Sequence, residues 1–284
     1  MQKIIIPNPQ KESLLAQLVA LYQGLQKINL SDNLEFDLSS INWFYPFLTL
    51  PLSALIDNFK NKFIINNSKT IKSYLDIINF PKGIDSTSDF SKQTQQFKNY
   101  IPISILRKEK GKEREDLEYL FLTLIYNNLG KVTGAKNAIY YPITELLTNI
   151  FEHSKASQGY LLGQYYPQRN YLDICIVDTG RGLKRAYLED RNLNISSKEA
   201  LIEVMKGNST KSSKERGYGV RTSKKIVCQA LNGEFIILSG NTALYSNNNE
   251  EKFINLPNFN WQGVIIAYRI LKPTGVIDIT SYLE

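Results

Sequence analysis

An α+β fold in two parts is what this sequence predicts, on three observations. Over roughly the first eighty residues, short β-type runs alternate with helix-type runs, which builds a small sheet covered by helices. From Asp85 to Tyr100 the chain turns polar, rich in Ser, Thr, Gln and Lys, and this is the natural place for a boundary. Beyond it the pattern is helix, two strands, a long polar loop, helix and further strands. We therefore expect an N-terminal unit at residues 1–100 and a larger unit at 101–284.

In the first unit, Leu34 to Leu38 and Lys62 to Asn66 are strand candidates. Phe44 to Phe59 is an apolar helical stretch despite Pro46 and Pro51, and Ser68 to Ile78 is a helix with Ser68 as N-cap. In the second, the charged segment Arg107 to Asp116 leads into an apolar helix, Leu117 to Leu129, closed by Gly130. Pro142 sits where the next helix can begin without losing a hydrogen bond. Tyr160 to Tyr166 and Tyr171 to Val177 are strands joined by Pro167-Gln-Arg-Asn170, and Leu183 to Arg216 is a polar connection. A helix runs from Gly217-Tyr218-Gly219 to Asn232 and ends at Gly233. The Asn-rich stretch Ser246 to Glu251 is a surface loop between the last strands.

Composition narrows the function classes. An apolar fraction of 43% and a charged fraction of 21% are ordinary for a globular protein. No apolar run reaches membrane-spanning length, and the start, Met-Gln-Lys-Ile-Ile-Ile-Pro, does not resemble a secretory signal. Cys175 and Cys228 each lie in an apolar run and read as small buried hydrophobes, so a cytoplasmic location is expected. The net charge of +7 suits contact with nucleic acid, yet Lys and Arg are dispersed and no nucleic-acid motif accompanies them. With a single histidine, His153, a zinc site built from histidines is excluded, as is any triad needing a second imidazole.

Three segments carry the chemistry. In Glu145-Leu-Leu-Thr-Asn149, an acid and an amide stand one helical turn apart, opposite the apolar stripe of Ile143, Leu146, Leu147, Ile150 and Phe151. An Asn carbonyl oxygen is a hard ligand suited to Mg²⁺, and a carboxylate one turn away can orient or deprotonate a water or hydroxyl. The same pattern is also that of an amphipathic helix with a wet polar face. In Asp178-Thr-Gly180-Arg-Gly182, two glycines leave the end of a strand, letting backbone approach a ligand, while the aspartate can accept from an exocyclic amine. An ordinary Asp/Gly turn is the competing reading. Gly217, Tyr218, Gly219 and Val220 open a helix whose N-terminal amides suit phosphate. Thr210 and Lys211, with Lys206, Ser209, Lys214 and Arg216, stand where they reach a triphosphate if the polar connection folds over it.

Together these segments resemble the GHKL ATP-binding domain shared by gyrase, the heat-shock chaperone, histidine kinases and MutL, over about Leu117 to Ile270. Glu145-x-x-x-Asn149 matches its asparagine box, Asp178-x-Gly180-x-Gly182 its first glycine box and Gly217-x-Gly219 its second. The resemblance implies an α/β sandwich, helices on one face of a mixed sheet, holding ATP and Mg²⁺ under a mobile lid. By that likeness Asn149 holds Mg²⁺, Asp178 reads adenine, the glycines permit close contact, and Glu145 is the general base. Two features depart from the family. Gly263 is followed by Val264 where many members have Gly-Thr, with Thr242 as a candidate replacement, and His153 lies inside the ATP domain, which argues against histidine autophosphorylation. The N-terminal part is similar to a STAS-like domain over Phe36 to Phe44 and the following helix. It carries Tyr45-Pro46-Phe47 where phosphorylatable members place a serine, so docking of a protein partner is the role implied.

The function expected is an ATP- and Mg²⁺-dependent regulatory protein that slowly hydrolyses ATP and couples this to partner binding. A serine/threonine protein kinase of the anti-sigma-factor type and a non-hydrolysing nucleotide-dependent module are the alternatives. A homodimer is compatible with the family, but no residue points to its surface.

Overall fold

A computed structural model describes residues 2–28, 33–96, 100–129, 132–208 and 218–283. It is a mixed α+β structure built on two sheets. The smaller sheet is parallel, with strands β1 (Gln2–Ile5), β2 (Leu34–Asp37) and β3 (Lys62–Ile64) in the order 1-2-3. Its crossover helices are α1 (Leu14–Leu25) and α2 (Pro46–Phe59). Ser13 caps α1 by accepting from the Ala16 amide, and Pro46 occupies the first turn of α2, where its missing N–H costs nothing. Residues 46–56 of α2 are all buried, because this helix packs between the small sheet and the large one. Ser68 caps α3 (Lys69–Ile77) as expected.

The polar stretch from Asp85 is no linker. Thr87–Gln96 forms α4, anchored by buried Phe90, while the Thr87 amide donates to Glu113 at 2.6 Å. Arg107 and Lys110 both bind Asp85. A single large apolar residue per helix is enough for docking when its ends are tied by charge, and that pattern reads as a loop.

The larger sheet has seven strands among the described residues, in the order β4-β5-β6-β10-β7-β8-β9, all antiparallel. They are β4 (Ser104–Arg107), β5 (Gln158–Tyr166), β6 (Tyr171–Asp178), β7 (Glu234–Gly240), β8 (Thr242–Ser246), β9 (Glu251–Asn255) and β10 (Trp261–Leu271). Side chains alternate across it. Cys175, Val177, Ile265 and Ala267 join the core shared with α1 and α2, whereas Leu172, Ile174, Ile176, Ile266, Tyr268 and Ile270 face the helical layer. That layer holds α5 (Lys112–Leu129), α6 (Ala135–Asn149) and α9 (Gly219–Lys225). With both faces covered, every residue of β6 is buried, including Asp173, which is held by the Arg269 guanidinium at 2.7 and 2.8 Å.

Two sequence expectations need correction. Pro142 does not open a helix but lies inside α6, which begins seven residues earlier behind Gly134. Buried Ala135, Ala138 and Ile139 hold that first part down, offsetting the hydrogen bond the proline removes. The connection after Gly182 is mostly helical, with α7 (Gly182–Arg191) and α8 (Ser197–Lys206), the latter closed by a Ser196/Glu199 capping box. Gly130, Ser209, Thr210, Lys211, Lys214, Arg216 and Gly217 lie outside the described residues. Among the described residues, no helix is long and apolar enough to cross a membrane.

Candidate functional site

A cavity open to solvent at its mouth lies between the helical layer and the sheet. Its inner wall is apolar: Leu146 and Ile150 from the α6 side, Ile176, Ile237, Val264 and Ile266 from the sheet, Ala186 and Tyr187 from α7. Asn149, His153, Ser154, Asp178 and Asn208 supply its polar atoms.

Asn149 ends α6, and its Nδ2 donates to the Glu145 carbonyl one turn back at 2.8 Å. With the amide nitrogen committed, Oδ1 is the atom that can ligate a cation. After Asn149 the helix widens into a π-turn, Ile150–Ser154. This one-turn change of register brings both His153 and Ser154 to the cavity. The Ser154 hydroxyl donates to Ile150 O at 2.6 Å and accepts from Ala156 N at 3.0 Å.

Asp178 closes β6 with only 1% of its surface exposed. Burial pushes its carboxyl up to about 7, although the Gly180 and Val264 amides and the Ser154 hydroxyl favour the charged form. Gly180 N donates to Oδ1 at 2.8 Å, and Trp261 Nε1 to the Asp178 carbonyl at 3.1 Å. A side chain on Gly263 would put a Cβ 2.0 Å from that carbonyl, so the glycine is what lets β10 close against the loop. Val264 then presents an apolar wall to the cavity. Thr242 does not supply a hydroxyl there: it bonds Asn241 on the far side of β7 and is not part of the cavity lining. Ser154 is the hydroxyl beside Asp178.

The two glycines of the Asp178 segment act differently. Gly182 lines the cavity and has φ +69°, with Gln262 O lying 2.3 Å from where a Cβ would be. Gly180 does not line it; its missing side chain makes room for Ser154 O, which accepts from Arg181 N at 2.9 Å. Both let chain approach chain.

The second glycine segment meets the first motif. A Cβ on Gly219 would stand 2.4 Å from Glu145 Oε2 and 3.5 Å from Asn149 Nδ2, so α9 starts against the acid and the amide of α6. Val220 lines the cavity, whereas Tyr218 packs its ring over Gly207 at the end of α8. Glu145 is half-buried at this junction, outside the cavity lining. Burial, then the Glu152 charge, raises its proton affinity above that of an ordinary carboxylate.

Asn149, Asp178, Gly182 and Val220 therefore line one cavity, with Glu145 and Gly219 in contact at its edge. No protein-family model matches the chain, and no curated protein matches its sequence. Among the described residues no cluster of three His, Cys, Asp or Glu side chains stands ready for a metal, so a cation here would lean on Asn149 and on oxygens brought by a ligand. The sequence alone does not single out Ser154 as a polar partner of Asp178, nor does it place His153 at the cavity. Both follow Asn149 closely, but only the π-turn aims them inward, and nothing in the residue pattern announces it.

Proposed function

We propose that this chain is a GHKL-type nucleotide-binding protein that holds Mg·ATP in the cavity and slowly hydrolyses it, so that nucleotide state regulates a protein partner. The observation that carries this reading is the convergence of three separate segments, spread over some seventy-five residues, on one apolar cavity with a single buried carboxylate. A flat heteroaromatic ring suits such walls, and its exocyclic amine suits Asp178, whose charged form gains one more donor. Mg²⁺, when bound, neutralises phosphate charge; Asn149 Oδ1 is its proposed protein ligand. Glu145, with its raised proton affinity, is the proposed base for a water attacking the terminal phosphate. Thr210, Lys211 and Gly217 are proposed to complete the phosphate side, and the STAS-like N-terminal unit to dock the partner.

Phosphate release under Mg·ATP, measured for wild type and Glu145→Ala, tests the catalytic part. We expect turnover in the wild type and a fall of at least about 100-fold in the variant, with nucleotide binding kept. Equal rates remove Glu145 as the base. Label appearing on a protein instead of in free phosphate would favour the kinase alternative, and binding without turnover over hours the non-hydrolysing one.

A further inference from the structure

The end of α2 touches the site from the N-terminal unit. Asn58 Nδ2 donates to Thr179 Oγ1 at 2.9 Å, and Thr179 is the residue between Asp178 and Gly180. One residue earlier, Asp57 carries a carboxylate only 15% exposed. It accepts from the fully buried Tyr160 hydroxyl at 3.1 Å, and Gln158 Nε2 approaches it at 3.5 Å. Gln158 and Tyr160 flank Gly159, which is the β5 residue paired with Asp178 across the sheet. Two consecutive side chains of α2 thus grip the β5 strand and the loop on either side of Asp178. A carboxylate so nearly buried needs its donors, which fixes where the helix end sits on the sheet.

We propose that Asp57 and Asn58 are positioning residues for the ligand loop, and that through them the N-terminal unit and the cavity are one coupled device. The proposal rests on the nucleotide reading for the identity of the ligand, though not for the mechanical link. A ligand that draws on Asp178 engages the same carboxylate that holds the Gly180 amide, and the Thr179–Arg181 backbone so affected is shared with the Asn58 contact. Ligand affinity and the seating of α2 therefore change together, as reciprocal linkage requires. The STAS-like half would then sense the cavity's state at the helix end, without any hinge between the halves.

Hydrogen–deuterium exchange and Mg·ATP titration calorimetry on the full chain test this. The variants are Asn58→Ala, Thr179→Val, their double, and Thr179→Ser as the conservative control. Without nucleotide, we expect faster exchange at Gly180 to Leu183 in Asn58→Ala and Thr179→Val, and wild-type exchange in Thr179→Ser. Unfolding midpoints should stay close to wild type. With Mg·ATP, each single variant should bind about threefold to tenfold more weakly and the double no more weakly than either, the signature of one shared bond. Wild type should gain protection at residues 55–61 on binding, and Asn58→Ala should not. Wild-type exchange at Gly180 to Leu183 in Asn58→Ala overturns the proposal, as does fully additive loss in the double variant. Faster loop exchange in a chain whose wild type shows no Mg·ATP binding would keep the mechanical link and sink the nucleotide reading.

Discussion

Asp178 is the residue on which most of the site's physics turns. Its carboxyl is raised from 3.8 to about 7 by burial, so the folded protein keeps this proton where the unfolded chain has lost it. The folded state then binds more protons between those two values. Its stability falls as pH rises through that window and levels off above about 7, by an order of magnitude of about 4 kcal/mol. Asp178→Asn removes this dependence. We expect the thermal midpoint of the variant to gain on that of wild type as pH rises from about 5 to about 8, by calorimetry in matched buffers. Ligand binding runs the other way, since a donated hydrogen bond favours the ionised carboxylate. Affinity for Mg·ATP should weaken by up to about tenfold per pH unit below about 7, with a proton released on binding near neutrality. A flat affinity from pH 5.5 to 8 would contradict this role for Asp178.

Helices and turns explain which motif residues tolerate change. Gly182 sits at φ +69° with the Gln262 carbonyl, a fixed backbone atom, 2.3 Å from a Cβ position. Gly182→Ala should lose about 1–3 kcal/mol of stability in denaturant titration. Gly219 faces the far end of the Glu145 side chain, which can swing aside. Gly219→Ala should fold with a near-normal midpoint yet release phosphate more than tenfold slower, because the carboxylate is displaced; normal turnover would argue that Glu145 has no role in the chemistry. The glycines were legible as motif positions, and so were the α6 stripe and the β5–β6 hairpin, because periodicity of 3.6 or 2 survives any context. What escaped were elements whose meaning is set by distant partners. Asp173 in β6 looks solvent-facing until Arg269 arrives from β10. Polar α4, α7 and α8 each bury only a few residues and read as loop. Pro142 marks a helix start by local rules, and only the burial of Ala135, Ala138 and Ile139 moves that start upstream.

Across the whole molecule, one core runs through both halves of the chain. Leu48, Leu52 and Leu55 of α2 share a cluster with Tyr160, Val177, Leu238 and Ile265 of the large sheet, and Arg269 donates to the Glu12 carbonyl at 2.8 Å. Such burial predicts a single cooperative unfolding transition for the full chain. A fragment of residues 101–284 would expose one entire sheet face and should aggregate on expression. Two well-separated calorimetric transitions would show that the halves are independent. The deciding experiment for the nucleotide site is a calorimetric titration of the full chain with Mg·ATP at pH 8, beside Asn149→Ala and Asp178→Asn. We expect saturable one-to-one binding by the wild type and its loss in Asp178→Asn. In Asn149→Ala we expect weakened, magnesium-insensitive binding. No binding by the wild type, or equal affinity in all three proteins, would contradict the nucleotide reading.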